Sequence, residues 1–213
     1  YQSKKFKPKY VFINDDSKYL FLKKNLPKKT YIFNKKELND YLTSSKVDMT
    51  ILSISGYESL NYLEPIIINT KNLGLVNKEC IVSGGHLFKK LIKKYNVNIF
   101  PLDSEHFSLK SFFDFKSIYL HKYNKIYITA SGGPFFHSKL KNIKNVSFEK
   151  AVKHPKWDMG YKNSIDSATL ANKCLELIEA HYLFNIPFDK LKIIIHPQSL
   201  VHSIIEMENF TSE

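Results

Sequence analysis

Two acidic residues stand directly after an apolar segment, at Asp103 and Glu105. In extended geometry, side chains at positions i and i+2 point the same way, so these two carboxylates could share one cation. Oxygen ligands of this kind suit Mg²⁺ or Mn²⁺, and the carboxyl ends of strands are where open α/β sheets hold ligands. Taken alone, two solvated loop acids are the simpler interpretation, and the neighbouring His106 is no more than a loop histidine.

A helix predicted from Ser167 to Phe184 carries a second set of polar groups. Ser167 is a natural N-cap, and helical periodicity of about 100° per residue divides the segment into two sides. The side predicted to face the core carries Leu170, Ala171, Cys174, Leu175 and Ile178; the opposite side carries Asn172, Glu176 and Glu179, flanked by Lys173. The polar groups could hold a phosphate or hydroxyl groups beside a metal. An ordinary amphipathic helix with a solvated face explains the periodicity more simply.

Other segments offer weaker signals. The turn Ser131-Gly132-Gly133 presents backbone N–H groups that suit an anion. His154 and Trp157 lie in a segment without regular periodicity, as a lid over a small substrate would need. The segment Asn77-Lys78-Glu79 follows a predicted strand and could contact a cofactor or a substrate. His196 and His202 flank a proline-containing break, where satisfied core histidines are the default expectation.

Composition limits the class of protein. The 213 residues carry a formal net charge of +12, with 43% hydrophobic residues and no arginine. Lysine pairs spread along the whole chain indicate solvated helix faces, since surfaces that recognise nucleic acid favour arginine. No apolar run approaches the roughly 20 residues of a membrane span. We therefore expect neither nucleic acid nor a membrane as partner, and the positive field favours a small anionic substrate.

The start of the chain and its two cysteines add two expectations. Tyr1 is not a methionine and no signal sequence follows it, so we expect a processed or truncated product whose targeting segment is missing. Cys80 and Cys174 are too few for a disulfide framework, and we expect both to be reduced and partly buried.

The elements that must position these groups are an alternation of short strands and helices over the first hundred residues. This order predicts a parallel sheet covered on both faces. After Asp103 the pattern changes to an α+β style, with a lid loop at about 131–161. We predict an α/β protein with one domain over residues 1–98 and a second over 99–213. No Gly-x-Gly-x-x-Gly occurs, so a dinucleotide pyrophosphate loop is not in this chain.

The order of the motifs resembles the 1-deoxy-D-xylulose 5-phosphate reductoisomerase family over nearly the whole chain. The segments that carry the resemblance are Asn77-Lys78-Glu79, Asp103-Ser104-Glu105-His106, Thr129-Ala130-Ser131-Gly132-Gly133-Pro134-Phe135, His154-Pro155-Lys156-Trp157-Asp158-Met159-Gly160, Asp166-Ser167-Ala168-Thr169, Asn172-Lys173 with Glu176, and His196-Pro197-Gln198-Ser199. The resemblance implies the second half of a Rossmann-like NADPH domain followed by an α+β catalytic domain. It also implies a homodimer that converts 1-deoxy-D-xylulose 5-phosphate to 2-C-methyl-D-erythritol 4-phosphate.

The resemblance also implies roles for single residues. Metal ligands for Mg²⁺ or Mn²⁺ are Asp103, Glu105 and Glu176, and the catalytic set adds Lys78 and His154. Substrate contacts are Ser104, Ser131, His154, Trp157, Met159, Ser167, Asn172, Lys173 and Glu176. Contacts to NADPH are Gly56, Asn77, Lys78, Glu79 and Met159. His196 supports the site structurally.

This chain also departs from the family pattern. Tyr161 and Phe136 replace arginines, and Cys174 replaces a glycine. The family's nucleotide loop should precede Tyr1 and its C-terminal helical domain should follow Glu213, so we expect residues 1–213 alone to bind NADPH poorly and to turn over slowly or not at all. The Lys/Asn-rich style is similar to apicomplexan versions, which implies the relict plastid.

Other functions stay open from the residues alone. One is a metal-dependent sugar-phosphate isomerase or lyase without a reduction step. Another is a basic, non-enzymatic module that binds nucleic acid, and a third is a folded fragment without a catalytic role. Consumption of NADPH distinguishes the first from a reductoisomerase, and a steep loss of affinity with salt would identify the second.

Overall fold

The computed structural model describes residues 1–115, 123–139, 143–153 and 160–208. The helices are α1 (Gln2–Phe6), α2 (Tyr19–Asn25), α3 (Lys35–Ser44), α4 (Leu60–Asn69), α5 (Glu79–Tyr95), α6 (Ser104–Phe115), α7 (Phe148–Ala151), α8 (Tyr161–Ala168) and α9 (Ala171–Phe184). The strands are β1 (Tyr10–Phe12), β2 (Tyr31–Phe33), β3 (Val47–Leu52), β4 (Thr70–Leu75), β5 (Asn98–Pro101), β6 (Tyr123–Ala130), β7 (Leu191–Ile195) and β8 (Ser203–Met207). Short 3₁₀ turns lie at Asp16–Lys18, Tyr57–Ser59 and Phe188–Lys190.

The described strands pair mainly in parallel. β1 pairs with β2, and β3, β4 and β5 form an all-parallel sheet in that order. In the third sheet β6 is central, parallel to β7 and antiparallel to β8. Parallel neighbours need crossover connections, and helices α2, α4 and α5 supply them in the first two sheets. The predicted α/β class with parallel strands is confirmed.

Two apolar clusters lie under these sheets. Fully buried members of the first, from β3, β4, α4 and α5, are Leu52, Leu63, Ile67, Leu73, Leu75, Ile81 and Phe88. Those of the second, from α6, α9 and the third sheet, are Leu109, Ile126, Ile128, Ala180 and Ile186. Each such side chain contributes about 1.5–3 kcal/mol by leaving water. β5 pairs with β4, so the predicted boundary between residues 98 and 99 falls inside a strand of the second sheet, and that boundary stays a prediction.

Two local predictions are wrong, and both concern helix starts. Residues 103–105 are not an extended pair, because Ser104 begins α6 and the Asp103 carboxylate accepts a hydrogen bond from the Glu105 backbone N–H at 3.2 Å. The helix predicted from Ser167 is two helices, α8 and α9, separated by Leu170 in the left-handed region at φ 61°. Ser167 therefore lies near the end of α8 and does not cap α9.

The predicted lid loop at 131–161 falls only partly within the described residues. Its described portions contain the turn after β6 and the short helix α7. None of the helices in the described ranges has the length and apolar character needed to cross a membrane.

Helix α9 connects the two clusters. Ala180 belongs to the second cluster, whereas Tyr182 and Leu183 pack against the first. Gly85 of α5 permits this contact, because a Cβ placed there would lie 2.6 Å from atoms of the Tyr182 ring. The packing of α5 on α9 thus requires a residue without a side chain at position 85.

We expect Gly85→Ala to lower the free energy of unfolding by roughly 1–3 kcal/mol, because the added methyl group overlaps the ring. In a Tyr182→Ala background the same change should instead stabilise by up to about 1 kcal/mol, since alanine is the better helix former. Urea unfolding of the four proteins measures both values. An equal cost in the two backgrounds would assign the effect to the backbone and refute the proposed overlap.

Candidate functional site

The carboxyl ends of β4, β5 and β6 face one cavity of about 480 Å³. Asp103 follows β5, Ser131 follows β6, and Lys78 lies between β4 and α5. Helix α9 closes the cavity from another side. The residues that line it are Lys78, Asp103, Ser104, Glu105, Thr129, Ser131, Asn163, Ser167, Asn172, Lys173, Glu176, Ser199 and His202.

Three carboxylates meet in this cavity. Asp103, Glu105 and Glu176 each place one oxygen so that the three atoms lie within 4.8 Å of one another. Glu176 is buried and the other two are half-buried. Two of the three stand at the start of α6, where the positive end of the helix dipole favours negative charge.

Two lysines hold the carboxylates in place. The Lys78 ammonium donates to Asp103, and its Nζ lies 3.5 Å from Oε1 of Glu176. The Lys173 Nζ lies 2.5 Å from Oε1 of Glu105 and 2.6 Å from Oε2 of Glu176. Asn172 also donates its side-chain amide to Glu176. The cluster thus holds one more carboxylate than it has lysine partners.

Burial and neighbouring charges shift the pKa values of these groups in different directions. Burial, and after it the charge of Asp103, raise the pKa of Glu176 to about 7 against the opposing charge of Lys173. Burial alone would lower the pKa of Lys78, but the carboxylates of Asp103 and Glu176 outweigh it and hold this pKa above the ordinary lysine value. For Asp103, burial is outweighed by the His106 imidazole, whose Nδ1 lies 3.3 Å from its Oδ1, and by the charge of Lys78, so its pKa lies well below the usual range.

The donor set fits a divalent cation of the hard type. Carboxylate oxygens are the ligands that Mg²⁺ and Mn²⁺ prefer, and three of them converge within the distance that one ion can bridge. Repulsion among three carboxylates this close together favours added positive charge at the cluster. Asp103, Glu105 and Glu176 are therefore the residues that could hold such an ion.

The predicted substrate-binding residues that the structure describes line the same cavity. They are Ser104, Ser131, Ser167, Asn172 and Lys173, together with Glu176. Ser104 donates to Glu105 at 2.8 Å, and the Gly133 backbone N–H donates to Ser131 at 3.3 Å. His154, Trp157 and Met159 lie outside the described residues.

The turn after β6 packs tightly against α8. Gly132 and Gly133 have φ values of 91° and 71°, which glycine adopts readily. A Cβ on Gly133 would lie 2.7 Å from the Ser167 carbonyl oxygen. Glycine at this position thus brings Ser131 and Ser167 to the same wall of the cavity.

The residues predicted to contact a cofactor surround a second cavity, of about 280 Å³. Asn77, Lys78 and Glu79 line it, and Gly56 does not. The Asn77 amide donates to the carbonyl groups of Ile54 at 2.6 Å and Gly56 at 3.1 Å. The amide of Asn77 therefore fastens the loop after β3 to the start of α5. Lys78 and Asn163 line both cavities.

A Lys162 ion pair closes one side of this second cavity. Its Nζ lies 2.6 Å from Glu79 and 2.7 Å from Asp166. Glu79 belongs to α5 and the other two belong to α8, so the ion pair joins the two helices that flank the cavity.

Sequence reasoning missed several residues of the site. Thr129, Asn163 and Ser199 line the first cavity without having been assigned a role. His202 is not a core histidine, because it is half-buried and its Nδ1 lies 4.0 Å from Glu105. His106 is not a loop histidine, because α6 buries it completely three residues after Asp103. That spacing is informative only once α6 is recognised as a helix.

The prediction for the faces of α9 is also wrong. The structure buries the charged side, with Lys173, Glu176 and Glu179 all inside. Cys174, predicted to be partly buried on the core side, is exposed, and Cys80 is fully buried. Periodicity located both faces but assigned the wrong one to the interior, because carboxylates and lysines that pair with one another can be buried.

Models of two family domains match this sequence. Residues 1–85 match "1-deoxy-D-xylulose 5-phosphate reductoisomerase", and residues 99–184 match "1-deoxy-D-xylulose 5-phosphate reductoisomerase C-terminal domain". A relative of that name from Pelagibacter ubique is 42% identical over 215 residues, which span 100% of this chain and 55% of the relative. One from Clostridium novyi is 43% identical over 209 residues, 95% of this chain and 53% of the relative. The chain thus spans about half the length of these curated relatives.

Solved structures of the same enzyme are similar to this fold. That of the Zymomonas mobilis reductoisomerase in complex with NADPH has a TM-score of 0.84 and 34% identity, covering 99% of this chain and 54% of that one. A DOX-P reductoisomerase in complex with NADPH, fosmidomycin and magnesium has a TM-score of 0.87 and 32% identity, with the same coverage.

The orientation of α9 predicts which thiol reacts. Burial, with the nearby charges of Glu179 and Glu79, raises the pKa of Cys80 to about 12, so almost none of it is thiolate at pH 8. We expect a chromogenic disulfide reagent to label one thiol per folded chain and both after unfolding. The Cys174→Ser variant should show no rapid labelling while folded. Rapid labelling of that variant would contradict the burial of Cys80 on α5, and no rapid labelling of the unaltered chain would contradict the orientation of α9.

Proposed function

The chain belongs to the 1-deoxy-D-xylulose 5-phosphate reductoisomerase family, and we propose that the protein containing it converts 1-deoxy-D-xylulose 5-phosphate to 2-C-methyl-D-erythritol 4-phosphate. The reaction would use NADPH and a divalent cation, in a retroaldol/aldol rearrangement followed by hydride transfer. The observation that carries the proposal is the convergence of Asp103, Glu105 and Glu176 in one cavity with hydroxyl, amide and ammonium groups.

The three carboxylates would hold Mg²⁺ or Mn²⁺. When bound, the ion supplies a Lewis acid that polarises substrate oxygens and stabilises negative charge on them. Magnesium is the ion named with one of the similar structures, and Mn²⁺ is our addition from the oxygen-only donor set.

Lys78 and Lys173 provide fixed positive charge. Lys78 keeps its proton at Nζ, because Asp103 and Glu176 raise its pKa, so it acts as a hydrogen-bond donor and not as a base. It stands in the wall that both cavities share. That position suits a donor to a substrate oxygen that gains negative charge while the carbon skeleton rearranges.

Polar groups that line the same cavity would bind the substrate phosphate and hydroxyls. Ser131, Ser167 and Asn172 supply hydrogen-bond donors, and Lys173 supplies charge. Phosphate binding far from the reacting carbons orients the substrate and supplies free energy that the reaction itself does not provide. The segment with His154, Trp157 and Met159 would cover the substrate and exclude water.

The second cavity supports the use of NADPH. It adjoins the first through Lys78 and Asn163, and hydride transfer requires the donor and acceptor carbons to be neighbours. Asn77, Glu79 and Gly56 shape this cavity or the loop beside it. NADPH is named with two of the similar structures.

Three finer proposals follow from the resemblance. We propose a homodimer, which light scattering on the purified protein would measure directly. We propose that either Mn²⁺ or Mg²⁺ supports activity, which parallel assays with each ion would test. We propose the relict plastid of an apicomplexan parasite as its location, to be tested by imaging the tagged gene product in the source cell.

We expect substrate-dependent NADPH oxidation that needs the metal and falls by about a hundredfold or more in Glu176→Gln, since that change removes an ionic ligand. The assay compares this chain with a version extended at both ends to the length of the relatives, and we expect the extension to raise the rate. Glu64→Gln, on the exposed face of α4, is the matched control and should keep full activity.

The assay can also reject the proposal. A folded, metal-binding, extended protein that consumes the sugar phosphate without oxidising NADPH would be a metal-dependent isomerase or lyase. Full activity of Glu176→Gln would show that the reaction does not depend on the carboxylate cluster.

A further inference from the structure

A histidine and a glutamate lie beneath the carboxylate cluster and have no role in the proposed reaction. His106 on α6 and Glu179 on α9 are both 0% exposed. Glu179 lies one helical turn beyond Glu176 on the same helix, and it is not in the set of carboxylates that converge within 4.8 Å. It therefore lies behind the metal ligands and not among them.

The hydrogen-bond partners of His106 fix its protonation. Its Nε2 lies 2.9 Å from the main-chain carbonyl oxygen of Glu176, which can only accept, so Nε2 carries a proton. Its Nδ1 lies 3.3 Å from Oδ1 of Asp103 and 3.4 Å from Oε2 of Glu179. Both of these atoms belong to carboxylates, which accept hydrogen bonds, so a hydrogen bond from His106 to either of them is donated by Nδ1–H.

The Nδ1–H is not committed to either carboxylate. Across the part of the chain that is described, Nδ1 and both Glu179 oxygens lack a well-aligned hydrogen bond. Burying a carboxylate without hydrogen bonds lowers the stability of the fold. Apolar side chains fill the first cluster, so the packing of this interior does not by itself require a glutamate. The Nδ1–H thus has two acceptors at nearly equal distance, one in the metal site and one behind it.

We propose that Glu179 is a positioning residue of the metal site: it takes the Nδ1–H of His106 when the Asp103 carboxylate turns its oxygen to the cation. With Glu179 as the alternative acceptor, His106 keeps a partner in both states, and Asp103 can give up this hydrogen bond without leaving a buried donor unpaired. His106 also holds the Glu176 backbone in both states. The inference rests on the proposed function, since it presupposes the cation.

The test measures Mn²⁺ binding by this chain, with free Mn²⁺ followed by electron paramagnetic resonance. Glu179→Leu removes the second acceptor, so Mn²⁺ must compete with the Nδ1–H for Asp103, and we expect an affinity about tenfold weaker, as changes behind metal ligands produce. Glu179→Gln keeps an uncharged acceptor oxygen and should weaken binding less. Glu64→Gln, at an exposed glutamate, should bind like the unaltered chain.

The outcomes separate this inference from the proposed function. Circular dichroism and thermal unfolding first establish that each variant is folded. If Glu179→Leu does not fold, the Mn²⁺ affinity of Glu179→Gln alone tests the inference. The inference is supported if the unaltered chain binds Mn²⁺ most tightly, folded Glu179→Gln less tightly and folded Glu179→Leu least tightly. Unchanged affinity in folded Glu179→Gln overturns it and leaves the metal site intact. No Mn²⁺ binding by the unaltered chain overturns the metal site and this inference together.

Discussion

Mutual repulsion among Asp103, Glu105 and Glu176 is the constraint on which the site depends. Three carboxylate oxygens within 4.8 Å of one another cannot stay ionised in a half-buried cavity without compensating positive charge. Lys78 and Lys173 supply it within the chain, and His106 adds positive charge from below Asp103. Since these groups come from α5, α6 and α9, the site requires all three helices to pack in one arrangement.

The packing that brings the helices together is shared by both apolar clusters. α9 contributes Ala180 to one cluster and Tyr182 to the other, and the absence of a side chain at Gly85 sets its distance from α5. Lys78, at the start of α5, and Glu176, on α9, are held by that contact at their 3.5 Å separation. The position of the charges is therefore a consequence of apolar packing that lies roughly 10 Å away along each helix.

The sequence allowed the parallel α/β arrangement to be predicted, because strand and helix periodicities alternate clearly up to residue 102. It did not allow α6 or the break at Leu170 to be predicted. α6 starts in a segment whose acids suggested a loop, and the left-handed Leu170 is a conformation that leucine rarely adopts. The buried face of α9 was assigned wrongly for a related reason: periodicity distinguishes two faces, but only tertiary pairing makes the face with Lys173 and Glu176 the interior one. The polar residues of the site came from motif order, and His202 and Asn163 were missed because neither lies in a motif with a known role.

The position of Lys78 has a thermodynamic consequence. Its single ammonium group borders two cavities, so an occupant of one cavity that draws the Lys78 ammonium toward itself would weaken the contact of that ammonium with an occupant of the other. Occupancy of the two spaces is therefore linked, and linkage is reciprocal: whatever factor one occupant applies to the affinity of the second, the second applies to the first. Any coupling between occupants of the two cavities would thus run through one shared side chain and would need no movement of the backbone.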